Sequence, residues 1–184
     1  MLHGPDVTHV SFAAGFSSGR TPWSSHHLGP YACGTANEGV TVRSLQILVV
    51  DDDDADALMI EEALENAERR TVVSRVADGR EALDYLNREG PYAEAQRPDL
   101  ILLDLNMPRM DGRETLAAIK SDNRLKAIPV IILTTSGAAP DIVASYQHRA
   151  NAYVTKPFGL DDFEATVRQI DRFYSEVAKL PSGE

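Results

Sequence analysis

Three unbroken apolar runs constrain the fold of this chain more than any other feature. They are Ile47-Leu48-Val49-Val50, Ile101-Leu102-Leu103 and Val130-Ile131-Ile132-Leu133. A strand with one face in water alternates apolar and polar residues. A strand with no polar position is buried on both faces, as in a parallel sheet covered by helices on either side. Each run also ends abruptly. The first stops at Asp51-Asp52-Asp53-Asp54, the second at Asp104 and the third at Thr134-Thr135-Ser136. A carboxylate at the tip of a buried strand is unfavourable unless a cation, a partner or a chemical role accounts for it.

Helical spacing fills the intervals. Ile60, Ala63 and Leu64 follow the first run, with Asp54 the expected N-cap. A second, shorter strand is expected at Val72–Val76, then a helix over Glu81–Asn87 carrying Ala82, Leu83 and Leu86. A polar loop over Glu89–Pro98 leads into the third strand, Asp99–Asp104, and Leu116 and Ile119 mark the next helix. Pro129 introduces the fourth strand, and Pro140 suits the first turn of a helix reaching about Arg149. The fifth strand is Ala152–Thr155, ending at Lys156-Pro157. Leu160, Phe163, Val167, Ile170, Tyr174 and Val177 then form one apolar stripe on a long final helix. Strand and helix thus alternate five times, the pattern of an α/β, doubly wound parallel sheet with right-handed crossovers.

Composition narrows the function. The chain has 184 residues, room for one domain and an extension, and a formal net charge of −10. That balance disfavours nucleic acid and anionic membrane as partners, because phosphate contacts need Lys and Arg. Cys33 is the only cysteine, so no intrachain disulfide can form. No apolar run approaches the roughly 20 residues of a membrane span, and a cytoplasmic location is expected. Residues 1–44 are rich in Gly, Ser, Thr, His and Pro without periodicity, so Met1–Arg43 is expected to be a disordered arm. The spacing of His26, His27 and Cys33 fits no zinc pattern. One hypothesis puts the natural start at Val40 as a non-ATG codon; peptides from residues 1–39 in native protein would refute it.

In a parallel sheet all strand C-termini share one edge, where open α/β sheets bind ligands. This topology gathers Asp51, Asp52, Asp104, Thr134 and Lys156, while the second strand adds no evident chemistry. Clustered carboxylates raise one another's pKa unless a cation intervenes. Mg2+ suits oxygen ligands of this kind, and the Asn106 carbonyl is a further candidate. Lys156 and Thr134 suit a phosphoryl group instead, one by charge and one by its hydroxyl. An aspartate can itself attack phosphorus and form an acyl phosphate. The set therefore fits in-line phosphoryl transfer.

The motifs VVDDD (Val49–Asp53), LLDLNMPRMDG (Leu102–Gly112), ILTTS (Ile132–Ser136) and YVTKPF (Tyr153–Phe158) carry a resemblance. From about Leu45 to Lys179 the chain resembles the receiver domain of two-component response regulators. The resemblance implies a flavodoxin-like fold with strand order 2-1-3-4-5 and five helices. It implies a receiver domain over residues 45–180 with no output domain. Asp104 would be phosphorylated by a histidine kinase; Asp52, Asp104 and the Asn106 carbonyl would bind Mg2+, with Asp51 acting through water. Thr134 and Lys156 would contact the phosphoryl group. Thr134 and Tyr153 would form the switch, supported by Thr135, Ser136 and Pro157, with a cis peptide before Pro157.

The wording DLNMPRMDGRE and LTTS looks like stand-alone regulators paired with phytochrome-type or other hybrid sensor kinases. The expected output is phosphorylation-dependent binding of an unidentified protein target, with room for a homodimer on the last helix. The chain is then a phosphoacceptor that assists its own phosphotransfer and dephosphorylation, not an enzyme. A phosphate sink or phosphorelay intermediate would use the same site. A haloacid-dehalogenase-type phosphohydrolase would use Asp51 as nucleophile and Asp53 two residues on, but it leaves Asp104 unexplained.

Overall fold

Alternation within the apolar strands explains why they lack polar positions. The computed structural model describes residues 44–65 and 71–181. Its strands are β1 (Leu45–Val50), β2 (Thr71–Val76), β3 (Leu100–Leu103), β4 (Val130–Thr134) and β5 (Ala152–Thr155). All pairs are parallel and the order is β2-β1-β3-β4-β5, as expected. The helices are α1 (Asp54–Glu65), α2 (Gly79–Asn87), α3 (Gly112–Ser121), α4 (Ala139–Gln147) and α5 (Leu160–Arg172). Ile47 and Val49, Leu100 and Leu102, and Ile131 and Leu133 pack with Ile60, Ala63, Phe163 and Val167 of α1 and α5. Leu48 and Val50, Ile101 and Leu103, and Val130 and Ile132 pack with Ala82, Leu116 and Ile119 of α2 and α3. Successive residues thus serve opposite layers, and each fully buried aliphatic side chain contributes about 1.5–3 kcal/mol. Among the described residues, no helix is long and apolar enough to cross a membrane. The expected arm, His26, His27, Cys33 and the Val40 start lie outside the described residues.

Local chemistry sets the helix starts, and here several expectations are corrected. Asp53, not Asp54, caps α1: its Oδ1 accepts from the N–H groups of Ala55 (2.8 Å) and Asp56 (3.4 Å). Asp54 faces solvent and pairs with Arg75 at 2.6 Å. Asp78 caps α2, accepting from Arg80 and Glu81 at 2.7 and 2.9 Å, so this helix begins two residues before the expected Glu81. The expected polar loop over Glu89–Pro98 contains a 3-10 turn at Gly90–Tyr92. Asp111 accepts from Glu114 N–H at 2.9 Å and so caps α3, with Gly112 the first helical residue.

The stripe on α5 holds only in its middle. Phe163 and Val167 are buried, and Ile170 and Tyr174 pack against the same layer. Leu160 and Val177 are exposed. Leu160 is the first helical residue, and beyond Arg172 the chain opens into a wider π-type turn over Phe173–Val177. That change of period carries Val177 off the stripe. Pro140 lies in the first turn of α4 as expected.

One buried acid on α5 yields a pH prediction. Asp171 accepts the Thr71 hydroxyl at 2.8 Å and is buried. Burial pushes its carboxyl above the ordinary 3.8, the Thr71 bond opposes this, and Glu176 adds to it. The folded state therefore binds the proton more tightly than the unfolded chain. The group's unfavourable contribution is absent below the ordinary carboxylate range and grows as pH rises through it toward the raised folded value. Asp171→Asn keeps an acceptor for Thr71 and has no charge to desolvate. It is expected to raise the urea midpoint at pH 7 and to leave it unchanged below about pH 3, where the carboxyl is protonated in both states; equal midpoints for mutant and wild type at pH 7 would refute this.

Candidate functional site

Ladder hydrogen bonds continue past the strand ends and fix the site residues. Asp51 N–H donates to Val76 O (3.1 Å), Asp104 N–H to Val50 O (3.0 Å), and Lys156 N–H to Thr134 O (2.8 Å). The ends of β1, β3, β4 and β5 thereby share one edge, as the sequence led us to expect. Asp51, Asp104, Thr134 and Lys156 are all buried, and Asp52 is exposed.

The carboxylates converge. Asp51, Asp52 and Asp104 each offer an oxygen, and these oxygens lie within 4.8 Å of one another. Asp51 Oδ1 accepts from Asp53 N–H at 3.0 Å, and Asp104 Oδ2 accepts from Asn106 N–H at 3.2 Å. Asp104 Oδ1 is buried with no hydrogen-bond partner. A buried acid oxygen without a partner, beside two further carboxylates, is the donor set of a hard divalent cation. The residues present fit such an ion.

Lys156 answers this negative charge from β5. Its Nζ donates to Asp51 Oδ2 at 2.7 Å and to Asp56 Oδ2 at 2.6 Å, and lies 4.0 Å from Asp104 Oδ1. Burial alone would lower the ammonium pKa, but Asp51, then Asp56 and Asp104, outweigh it and hold it above its ordinary value. Burial likewise pushes the Asp51 carboxyl up; the bond and charge of Lys156 and the Asp53 N–H pull it back, and Asp104 raises it again. The acids thus hold the ammonium charged, whereas the rise at Asp51 is chiefly an effect of burial.

The remaining expected residues line the β4 side. Thr134 is fully buried, and its Oγ1 accepts from Ser136 N–H at 3.4 Å. Tyr153 donates its hydroxyl to the Ser136 carbonyl at 2.8 Å. The Ser136 hydroxyl donates to Asp141 Oδ2 at 2.6 Å, and Arg113 holds Asp141 Oδ1 at 2.7 Å. Thr135 is exposed. The resemblance led us to expect a cis peptide before Pro157; the bond is trans, and no described bond is cis. Trans is the lower-energy isomer of an X–Pro bond by about 0.5–1 kcal/mol, and Lys156 reaches both its carboxylates from it.

Two participants in the site, and one buried lysine away from it, escaped the sequence. Asp56 was hidden two residues beyond a run of four acids. Arg75 gives β2 a part after all: its guanidinium reaches the Asp51 carbonyl at 3.4 Å and the Asp54 carboxylate. Lys120 is buried at the far end of α3, donating to Ile128 O (2.7 Å), Lys126 O (3.3 Å) and Asn151 Oδ1 (3.1 Å). Only its helical spacing after Leu116 was a signal. Asp53 is occupied in capping α1, which removes the second acid a dehalogenase-type pair would need.

Comparisons with known proteins bear on the family and the fold. The family model described as "Response regulator receiver domain" matches residues 47–168. Response regulator Rcp1 of Synechocystis sp. is 42% identical over 136 residues, covering 74% of this chain and 92% of that protein. The crystal structure of the phosphorylated cyanobacterial phytochrome response regulator RcpA matches with a TM-score of 0.74 and 48% identity, covering 76% of this chain and 100% of that one. The Mn(2+)-bound form of Rcp1 matches with a TM-score of 0.72 and 41% identity, over 75% of this chain and 99% of that one.

Proposed function

The chain belongs to the response regulator receiver domain family, and on that footing we propose that Asp104 accepts a phosphoryl group from a sensor histidine kinase with Mg2+ held beside it. The observation that carries this reading is Asp104 Oδ1, buried, without a hydrogen-bond partner and 4.0 Å from the Lys156 ammonium. In the transfer, an Asp104 oxygen attacks phosphorus as the phosphohistidine P–N bond breaks, and the electron pair returns to the imidazole nitrogen. Lys156 offers its charge and Thr134 its hydroxyl to the phosphoryl oxygens. Asp52, Asp104 and the Asn106 carbonyl hold the cation, with Asp51 acting through water. Bound there, the ion neutralises charge on the transferred group.

The output proceeds through Thr134 and Tyr153, supported by Thr135, Ser136 and Pro157. Thr134 turns toward the phosphoryl group, the stretch through Ser136 follows, and the Tyr153 ring reorients, which changes affinity for a downstream protein. Similarity to a phytochrome response regulator supports a phytochrome-type kinase as the donor. We assign residues 45–180 to the receiver and place the protein in the cytoplasm as a phosphoacceptor that assists its own phosphotransfer and dephosphorylation. A homodimer through the last helix fits the same reading.

The test is metal-dependent phosphorylation. With acetyl phosphate and Mg2+, wild-type protein is expected to acquire one base-labile phosphate, absent when EDTA replaces Mg2+; labelling that is indifferent to EDTA would refute the reading. Binding to the folded state alone also stabilises it, by about 2.7 kcal/mol at a hundredfold excess over Kd. Asp51 gains its negative charge only above its raised pKa, so the Mg2+-induced rise in melting temperature is expected to shrink as pH falls through that range. A shift of constant size down through the ordinary carboxylate range would contradict it.

A further inference from the structure

Lys156 has two carboxylate partners in this structure, and only one of them belongs to the acidic cluster. Its Nζ lies 2.7 Å from Asp51 Oδ2 and 2.6 Å from Asp56 Oδ2. An ammonium has three protons in a tetrahedral array. With two committed, the third is left for Asp104, whose Oδ1 is 4.0 Å away, or for whatever is bonded to it. Asp51, Asp52 and Asp104 bring their oxygens within 4.8 Å of one another, and Asp56 is outside that group. A cation therefore competes with the ammonium for Asp51 but not for Asp56.

The setting favours a lasting hold. Asp56 is the third residue of α1, a helix whose start is fixed by the Asp53 cap. The side chain of Lys156 is 6% exposed and that of Asp56 22%, so water does little to weaken the pair. The bond ties α1 to the end of β5 across 100 residues of sequence.

We propose that Asp56 is a positioning residue, the anchor that keeps Lys156 beside Asp104 when Asp51 turns to the cation. The inference rests on Asp104 being the phosphoacceptor. Without Asp56, the one hydrogen-bonded carboxylate left to the ammonium, Asp51, and its neighbour Asp104 at 4.0 Å both belong to the cluster, so the ammonium obstructs the ion and is left unrestrained toward the phosphoryl group.

The experiment is a double-mutant cycle between Asp56→Ala and Lys156→Met, repeated with Asp56→Asn in case the alanine variant unfolds. Mg2+ affinity is measured by calorimetry without any phosphodonor, and phosphorylation by acetyl phosphate at saturating Mg2+. In the Lys156 background, loss of Asp56 is expected to weaken Mg2+ binding and slow phosphorylation, each roughly five- to tenfold. In the Lys156→Met background it is expected to change neither. A direct field effect of the lost charge would weaken Mg2+ equally in both backgrounds and would overturn the proposal, as would wild-type values for both variants. Failure of the underlying reading shows separately, as phosphate label retained by Asp104→Asn.

Discussion

Asp104→Asn is expected to remain folded and to take up no phosphate. The carboxamide has the size of the carboxyl group and an oxygen for the Asn106 N–H now bound at 3.2 Å. It removes one of three converging acids, so crowding falls rather than rises. What it lacks is a nucleophile, since an amide oxygen does not form a stable acyl phosphate. Phosphate-affinity electrophoresis after incubation with acetyl phosphate and Mg2+ should show one shifted band for wild type and none for the variant. Asp51→Asn should slow the shift through the metal site without abolishing it. Label that persists in Asp104→Asn but vanishes in Asp51→Asn would move the nucleophile to β1 and restore the phosphohydrolase alternative.

Gly112→Ala is expected to be the most damaging small substitution near the site. Gly112 does not have a positive φ; the only described glycine that does is Gly90. Its requirement is space. A Cβ at residue 112 would overlap the Asp104 carbonyl oxygen and lie 2.7 Å from Leu105 Cα and 2.9 Å from the Asp104 carbonyl carbon. All three are backbone atoms, which cannot rotate away. The Gly112 N–H also donates to Leu105 O at 3.0 Å, drawing the two segments together. The variant must push α3 away from the end of β3 or shift Asp104 itself. A stability loss of about 3 kcal/mol or more follows from overpacking against rigid atoms. Chemical denaturation with and without Mg2+ measures it. A loss below about 1 kcal/mol with an unchanged phosphorylation rate would show that the contact relaxes freely.

Features carried by a short stretch of chain were legible in the sequence. The parallel sheet and the shared edge followed from Leu48, Val49 and their counterparts having no polar neighbours, the strand order came only from the resemblance, and Asp104 stood out because an acid ended a buried run. The Asp51–Asp54 run was ambiguous for a physical reason. Four consecutive carboxylates look alike in sequence, but the backbone turn into α1 points Asp51 inward, makes Asp53 the cap and leaves Asp54 in solvent. Asp56 became visible only when β5 brought Lys156 to it. The nearness of Gly112 to the Asp104 backbone left no signal in the sequence. The peptide before Pro157 was inferred from resemblance alone, and the backbone took the other isomer.

Ser136 has a consequence for how finely the molecule is tuned. Its N–H holds Thr134 Oγ1, its carbonyl holds the Tyr153 hydroxyl and its own hydroxyl holds Asp141 on α4. Hydrogen bonds weaken within a few tenths of an ångström of their optimum. On the proposed switching role, a movement at Thr134 too small to alter the sheet would unsettle a strand and a helix together, and the two would respond as one geared part rather than as independent reporters.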